Sequence, residues 1–109
     1  MVEQSIVSSV SRYLNVLKQK GIQVRFGVIF GSQATGHAHQ WSDIDLLVIS
    51  PQFDGVRKRE DINLLWHVAA DTDNRIEPIP VGLHQYETED GSPLLTIARR
   101  EGQIIPIAE

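Results

Sequence analysis

Between Glu3 and Lys20 the apolar residues Ile6, Val10, Leu14 and Leu17 recur at spacings of four, four and three, with mostly polar residues around them. That stripe predicts an amphipathic helix over residues 3–20, and Gly21 supplies its C-terminal stop. Residues 22–30 are rich in β-branched and aromatic types, interrupted by Arg25 and Gly27, and predict a strand buried on at least one face. A turn follows at Gly31. The small and polar residues from Ser32 to Gln40 predict one short helix with Ser32 as its N-cap. A second strand is expected from about Asp43 to Ile49. It ends near Ser50 because Pro51 cannot donate to a ladder, and the stretch through Asp54-Gly55 reads as loop.

Ile62, Leu65, Trp66 and Ala69 fall at i, i+3, i+4 and i+7, a helical signature that ends near Ala70, before the polar break from Asp71 to Asn74. Residues 75–81 alternate in strand fashion, and Pro78 and Pro80 favour an edge position or a strand end. The last helix is the most clearly marked. Ser92 is an N-cap, Pro93 takes the first helical position, Arg99 and Arg100 occupy the last turn and Gly102 is the stop. Residues 103–107 predict a final short strand limited by Pro106. No internal repeat, low-complexity tract or linker interrupts the pattern.

At 109 residues the chain is one domain's worth by a prior of roughly 150 residues per domain. Roughly two thirds of the unfolded surface can be buried at that length, so a broad substrate must be gripped partly by another molecule. Cysteine is absent, which removes disulfides, thiolate metal sites and thiol nucleophiles and fits a reducing cytosol. The first ten residues carry Glu3 and no basic cluster, and no apolar run approaches the ~20 residues of a membrane span. A cytoplasmic protein without membrane association is expected. The net charge of −4 argues against independent nucleic-acid binding, which draws its affinity from Lys and Arg on phosphates. The one dense basic run, Arg57-Lys58-Arg59, reads as a solvated loop or helix start.

Chemistry concentrates at Phe30-Gly31-Ser32-Gln33-Ala34-Thr35-Gly36 and Ser42-Asp43-Ile44-Asp45-Leu46. Residues two apart on a strand share a face, so Asp43 and Asp45 project together with Cα atoms ~6.5–7 Å apart. Two partly buried carboxylates at that spacing must take up a proton or bind a cation, and hard oxygen ligands suit Mg²⁺ or Mn²⁺. Gly31 allows close backbone approach, and Ser32 offers a hydroxyl and an N–H near a helix N-terminus, together an anion cradle. The structural alternative is a plain strand-to-helix turn with a capping serine. Ser42 is expected to fix the approach to the Asp43 strand, Trp41 to stack on a base or pack the loop, and His37 and His39 to be solvent-exposed.

The glycine-serine turn, the following glycine and Ser42-Asp43-Ile44-Asp45-Leu46 are similar to the signature of the DNA polymerase β-like nucleotidyltransferase superfamily. More narrowly, the chain resembles a minimal nucleotidyltransferase domain over most of its length, and residues 1–109 are expected to form that one domain. The resemblance implies a single α/β (α+β) domain in which a mixed β-sheet is flanked by helices. It also implies a third carboxylate, usually aspartate, on a strand beside the pair. Here that strand offers Glu77; the alternatives are a surface Glu77 paired with Arg75, or ligation by Asp71 or Asp73 from the polar break.

By resemblance, Asp43, Asp45 and Glu77 would be the catalytic metal ligands, and Gly31, Ser32 and Ser42 would hold nucleotide. The implied reaction transfers a nucleoside monophosphate from ATP or another NTP to an acceptor hydroxyl, two Mg²⁺ or Mn²⁺ ions clamping the attacking and departing oxygens. Stand-alone domains of this kind resemble antitoxins encoded beside a HEPN-type ribonuclease toxin, which they neutralise by binding and in some cases by transferring AMP to a toxin tyrosine. The implied partner is such a toxin, in a homo- or hetero-oligomer. The competing reading is a catalytically silent nucleotide- and toxin-binding antitoxin. A D-x-D sugar-nucleotide transferase is disfavoured by the upstream serine turn and the short chain.

Overall fold

A computed structural model describes residues 2–39 and 41–107. In chain order the elements are α1 (Gln4–Gln19), β1 (Phe26–Phe30), α2 (Ser32–Thr35), β2 (Ile44–Ser50), a 3₁₀ turn (Pro51–Phe53), α3 (Arg59–Thr72), β3 (Ile76–Gly82), α4 (Leu83–Thr88), α5 (Pro93–Glu101) and β4 (Gln103–Pro106). The expected mixed sheet with flanking helices is present. Its strand order is β3-β2-β1-β4, with β1 antiparallel to both neighbours and β3 parallel to β2. A parallel pair needs a long crossover, which α3 provides.

Local signals explain most helix ends. At the end of α1, Gly21 has φ +103°, while its N–H donates to the Lys18 carbonyl and the Ile22 N–H to that of Leu17. This paired closure places buried Ile22 against the helix it ends. It also explains why β1 is shorter than expected: residues 22–25 serve as the link back to α1, and the ladder starts at Phe26. In α5 the Ser92 hydroxyl accepts from Leu95 N, the expected cap. The short helix after Gly31 runs only from Ser32 to Thr35, and Gln40, the far limit expected for it, lies outside the described residues.

Helix α4 has no counterpart in the sequence reading. Its N-cap, Gly82, has no side chain, and the cap comes from 30 residues upstream, where Asp54 accepts from the His84 and Gln85 N–H groups. Those bonds hold the Asp54 carboxyl below its ordinary range. A Cβ on Gly82 would collide with this carboxylate.

Alternation along the strands sorts side chains into two layers. Ile29, Ile44, Leu46, Val48, Ile76 and Ile105 face α1 and α3 and form the larger cluster, which includes Tyr13, Leu14, Leu17 and Leu65. Tyr13 is buried there with its hydroxyl donating to the Leu65 carbonyl. Gly27 lies in β1 because a Cβ would press on Leu14 and Leu46. The opposite face carries Val28, Phe30, Leu47, Ile49 and Val81 under α4 and α5. Phe26 meets Tyr86 edge-on at 5.4 Å, and Arg99 of α5 lies over the Tyr86 ring.

The β3 edge is closed to further strands. Ile44 N donates to the Arg75 carbonyl, so odd residues of β3 point their backbone groups to β2 and even ones point outward. Of the outward positions, Pro78 and Pro80 have no N–H, Ile76 N is taken by the Asp73 carbonyl and Gly82 N by Gln85 Oε1. No outward donor remains, a known defence against edge-to-edge pairing. Restoring two donors in a Pro78→Val, Pro80→Val variant is predicted to produce concentration-dependent self-association. Sedimentation velocity against the parent checks this; identical profiles at every concentration would refute it.

Candidate active site

The strand register builds the site directly. Across the face under α4 and α5, Phe26, Ile49 and Val81 form one row of aligned residues, and Val28, Leu47 and Ile79 the next. The third row is Phe30, Asp45 and Glu77. The apolar layer therefore gives way, within one strand step, to two carboxylates on neighbouring strands. Asp43 lies just before β2 begins at Ile44, exposed and outside the ladder rather than heading the strand. It nevertheless interacts with both other carboxylates, by hydrogen bond and charge with Glu77 and by charge with Asp45.

Gly31 is the N-cap of α2 with φ +73°, and a Cβ there would lie 2.3 Å from Asp45 Oδ2. Only glycine fits: its backbone conformation and the adjacent carboxylate both exclude a side chain. Ser32 is accordingly the first helical residue and not the N-cap, and no side-chain cap bond forms. Within α2 the Ala34 and Thr35 N–H groups both close on the Gly31 carbonyl. Ser42 closes the loop ahead of Asp43: its hydroxyl accepts from His39 N at 2.9 Å and its N–H donates to the His39 carbonyl. Trp41 donates its backbone N–H to His39 Nδ1 and leaves its side chain 76 % exposed. His37 and His39 are both exposed, as expected.

Sequence reasoning missed Gln33. Its side chain is 6 % exposed, and Nε2 donates to the carbonyls of Ser42 at 3.3 Å and Asp43 at 3.5 Å. A glutamine between small residues carries no periodic signal; its burial arises only when the loop folds back over α2.

The alternative pairing of Glu77 with Arg75 does not form. Arg75 instead makes a two-pronged ion pair with Asp73, whose oxygens also accept from Arg75 N and Ser9 Oγ. These bonds hold Asp73 at about 2, against an ordinary 3.8. Asp73 is thereby committed to a structural role, and Asp71 lies exposed at the end of α3. Glu77 is left facing Asp45 and Asp43.

Desolvation first, and then the Asp43 charge, raises Asp45 above the ordinary carboxylate range; its hydrogen bond with Glu77 acts in the opposite sense. Desolvation followed by the charges of Asp43 and Asp45 raises Glu77. Carboxylates that share a hydrogen bond need a proton between them, or a cation in its place. Among the described residues no group of three or more His, Asp or Glu side chains is set as a ready-made metal cage. The donor set nonetheless fits a hard divalent cation, since Mg²⁺ takes one or two carboxylates and completes its octahedron with water and phosphate.

A model of the Nucleotidyltransferase domain matches residues 10–101. The chain belongs to that family. Among solved structures it is similar to a toxin-antitoxin crystallised with AMP-PNP, with TM-score 0.61, 17 % identity and coverage of 91 % of this chain and 74 % of that one. It is also similar to a Sulfolobus solfataricus protein provisionally described as a nucleotidyltransferase, with TM-score 0.62, 14 % identity and coverage of 90 % and 77 %. A third is the toxin-antitoxin MntA-HpeT carrying two aspartate-to-glutamate exchanges two positions apart, with TM-score 0.57, 17 % identity and coverage of 91 % and 74 %. At these identities the likeness concerns the fold. No curated protein sequence matches significantly. Among the described residues no helix is long and apolar enough to cross a membrane.

Two predictions concern charge. The raised carboxyls of Asp45 and Glu77 favour the fold while protonated, and that contribution is lost as pH rises through their folded-state values. Asp45→Asn or Glu77→Gln should therefore raise the melting temperature of metal-free protein at neutral pH, and the benefit should shrink on acidification. Millimolar Mg²⁺ should stabilise the parent more than either variant. Thermal melts across pH, with and without Mg²⁺, check both signs. Asp73 has the opposite sign: its depressed value stabilises the fold above pH 3.8 and the contribution is lost as pH falls toward 2. Asp73→Asn should cost on the order of 1–2 kcal/mol at neutral pH and little near pH 2, measured by urea unfolding.

Proposed function

We propose that the protein is a metal-dependent nucleotidyltransferase that moves a nucleoside monophosphate, AMP from ATP, onto a hydroxyl of a partner protein, acting as antitoxin to a HEPN-type toxin. The observation that carries this reading is the parallel register that sets Asp45 beside Glu77, with Asp43 coupled to both and Gly31 against Asp45. Two similar structures support it: one toxin-antitoxin was crystallised with an ATP analogue, and the other carries exchanges at two aspartates spaced like Asp43 and Asp45.

Asp43, Asp45 and Glu77 would hold Mg²⁺ or Mn²⁺. Bound there, the cation supplies neutralising charge for the triphosphate and lowers the pKa of the acceptor hydroxyl. The Gly31-Ser32 amides take the β- and γ-phosphates, with Ser42 fixing the loop that faces them. The acceptor oxygen bonds to the α-phosphorus as the bond to the β-phosphate bridging oxygen breaks, and pyrophosphate leaves. Glu77 would complete the cation site that activates the acceptor, and the hydroxyl proton passes to solvent water. A glutamate in place of the usual aspartate favours as a second reading an antitoxin that neutralises by contact alone.

Incubation with ATP, Mg²⁺ and the toxin encoded beside it should add one nucleotide mass to the toxin, seen by intact-protein mass spectrometry. An Asp43→Asn, Asp45→Asn variant should fold, bind and leave the toxin unmodified and active. No mass change with the native pair, together with full neutralisation by the double variant, selects the binding-only reading.

A further inference from the structure

Asp43 poses a structural problem that the sheet does not solve. Asp45 and Glu77 are fixed by ladder register, whereas Asp43 precedes β2 and its carboxylate is exposed. On the sheet side its backbone is held through the next residue, Ile44, whose N–H donates to the Arg75 carbonyl; the side facing the loop needs its own tie. Among the described residues Gln33 and Ser50 are the two buried polar or charged side chains. Ser50 serves locally, accepting from Gln52 N at the far end of β2. Gln33 instead spends its amide donors on the carbonyls of Ser42 and Asp43, the two residues that lead into the strand. It stands two positions after Gly31, on a single helical turn whose N–H groups at Ala34 and Thr35 close on the Gly31 carbonyl.

We infer that Gln33 is a positioning residue: it ties the Gly31-Ser32 turn to the Asp43 backbone and so holds the one carboxylate the sheet leaves free within reach of the cation bound by Asp45. This inference rests on the reading of the three carboxylates as a cation site. Hydrogen bonds of this outer kind orient ligands without touching the metal, and their loss typically costs about 10–100-fold in metal affinity. A methionine of similar length would fill the same space and donate nothing.

The test is a Mn²⁺ titration followed by the free-ion electron paramagnetic resonance signal, with Gln33→Met, Ser50→Ala and Asp43→Asn beside the parent. Gln33→Met is expected to weaken Mn²⁺ binding about tenfold. Ser50→Ala, which also removes a buried hydrogen bond, is expected to lower the melting temperature and leave Mn²⁺ binding within twofold. Gln33→Met matching Ser50→Ala on both readouts overturns the positioning role while Asp43→Asn still weakens binding. Unchanged binding in Asp43→Asn overturns the cation-site reading and the positioning role with it. A further check needs no variant: in the nitrogen-15 spectrum of the parent, the Gln33 side-chain amide should exchange with solvent more slowly than that of exposed Gln4. Equal rates overturn the inference.

Discussion

The parallel pairing of β2 with β3 is the constraint on which the rest of the site depends. A parallel partner cannot be reached by a tight turn, so α3 must carry the chain back across the sheet. That crossover fixes which residue of β3 meets Asp45. Had the register slipped by one, Glu77 would have turned into the layer beneath α1 and α3, where a carboxylate has no partner. The apolar rows under α4 and α5 on one face, and the core beneath α1 and α3 on the other, hold that register. Hydrophobic packing therefore acts as the alignment device for a repulsive pair. The site accumulates like charge because the core around it leaves the strands no other arrangement.

Much of this was legible in the sequence where the signal is local. The apolar stripe of α1 and the serine-proline start of α5 report interactions completed within a few residues; the two aspartates were read as strand neighbours on one face, but the strand begins only at Ile44. Pro78 and Pro80 pointed to an edge position or a strand end, and β3 is an edge strand. What stayed hidden depends on distant parts of the chain. Helix α4 is capped by Asp54, 30 residues away from His84. Arg75 was expected to have Glu77 as a candidate partner through strand alternation, but Asp73 reaches it first through a turn that also takes the Arg75 N–H. Gln33 is buried by a loop whose path its own neighbours do not encode. The Ser32 cap was displaced by Gly31 because the Asp45 carboxylate occupies the space beside the turn.

Glycine at position 31 thus answers to a side chain 14 positions later. The turn and the second aspartate form one steric unit, so neither can be exchanged without regard to the other. Gly82 and Asp54 repeat the relation at the opposite end of the sheet. In both places a carboxylate approaches backbone closely enough to crowd out a Cβ, once where three carboxyls gather and once where it caps a helix.

Glu77 is exposed on the outermost strand, whereas Phe30, in the same row on β1, is buried. The carboxylate group is therefore walled on the side of β1 and open on the side of β3. Under the transfer proposed above, such a margin suits an acceptor that brings its own walls. A hydroxyl projecting from the folded surface of another macromolecule can be laid along the sheet margin, and the enclosure that excludes water is then assembled between two molecules. Selectivity for the acceptor would in that case reside in the fit of the two surfaces, with the margin supplying only the reacting groups.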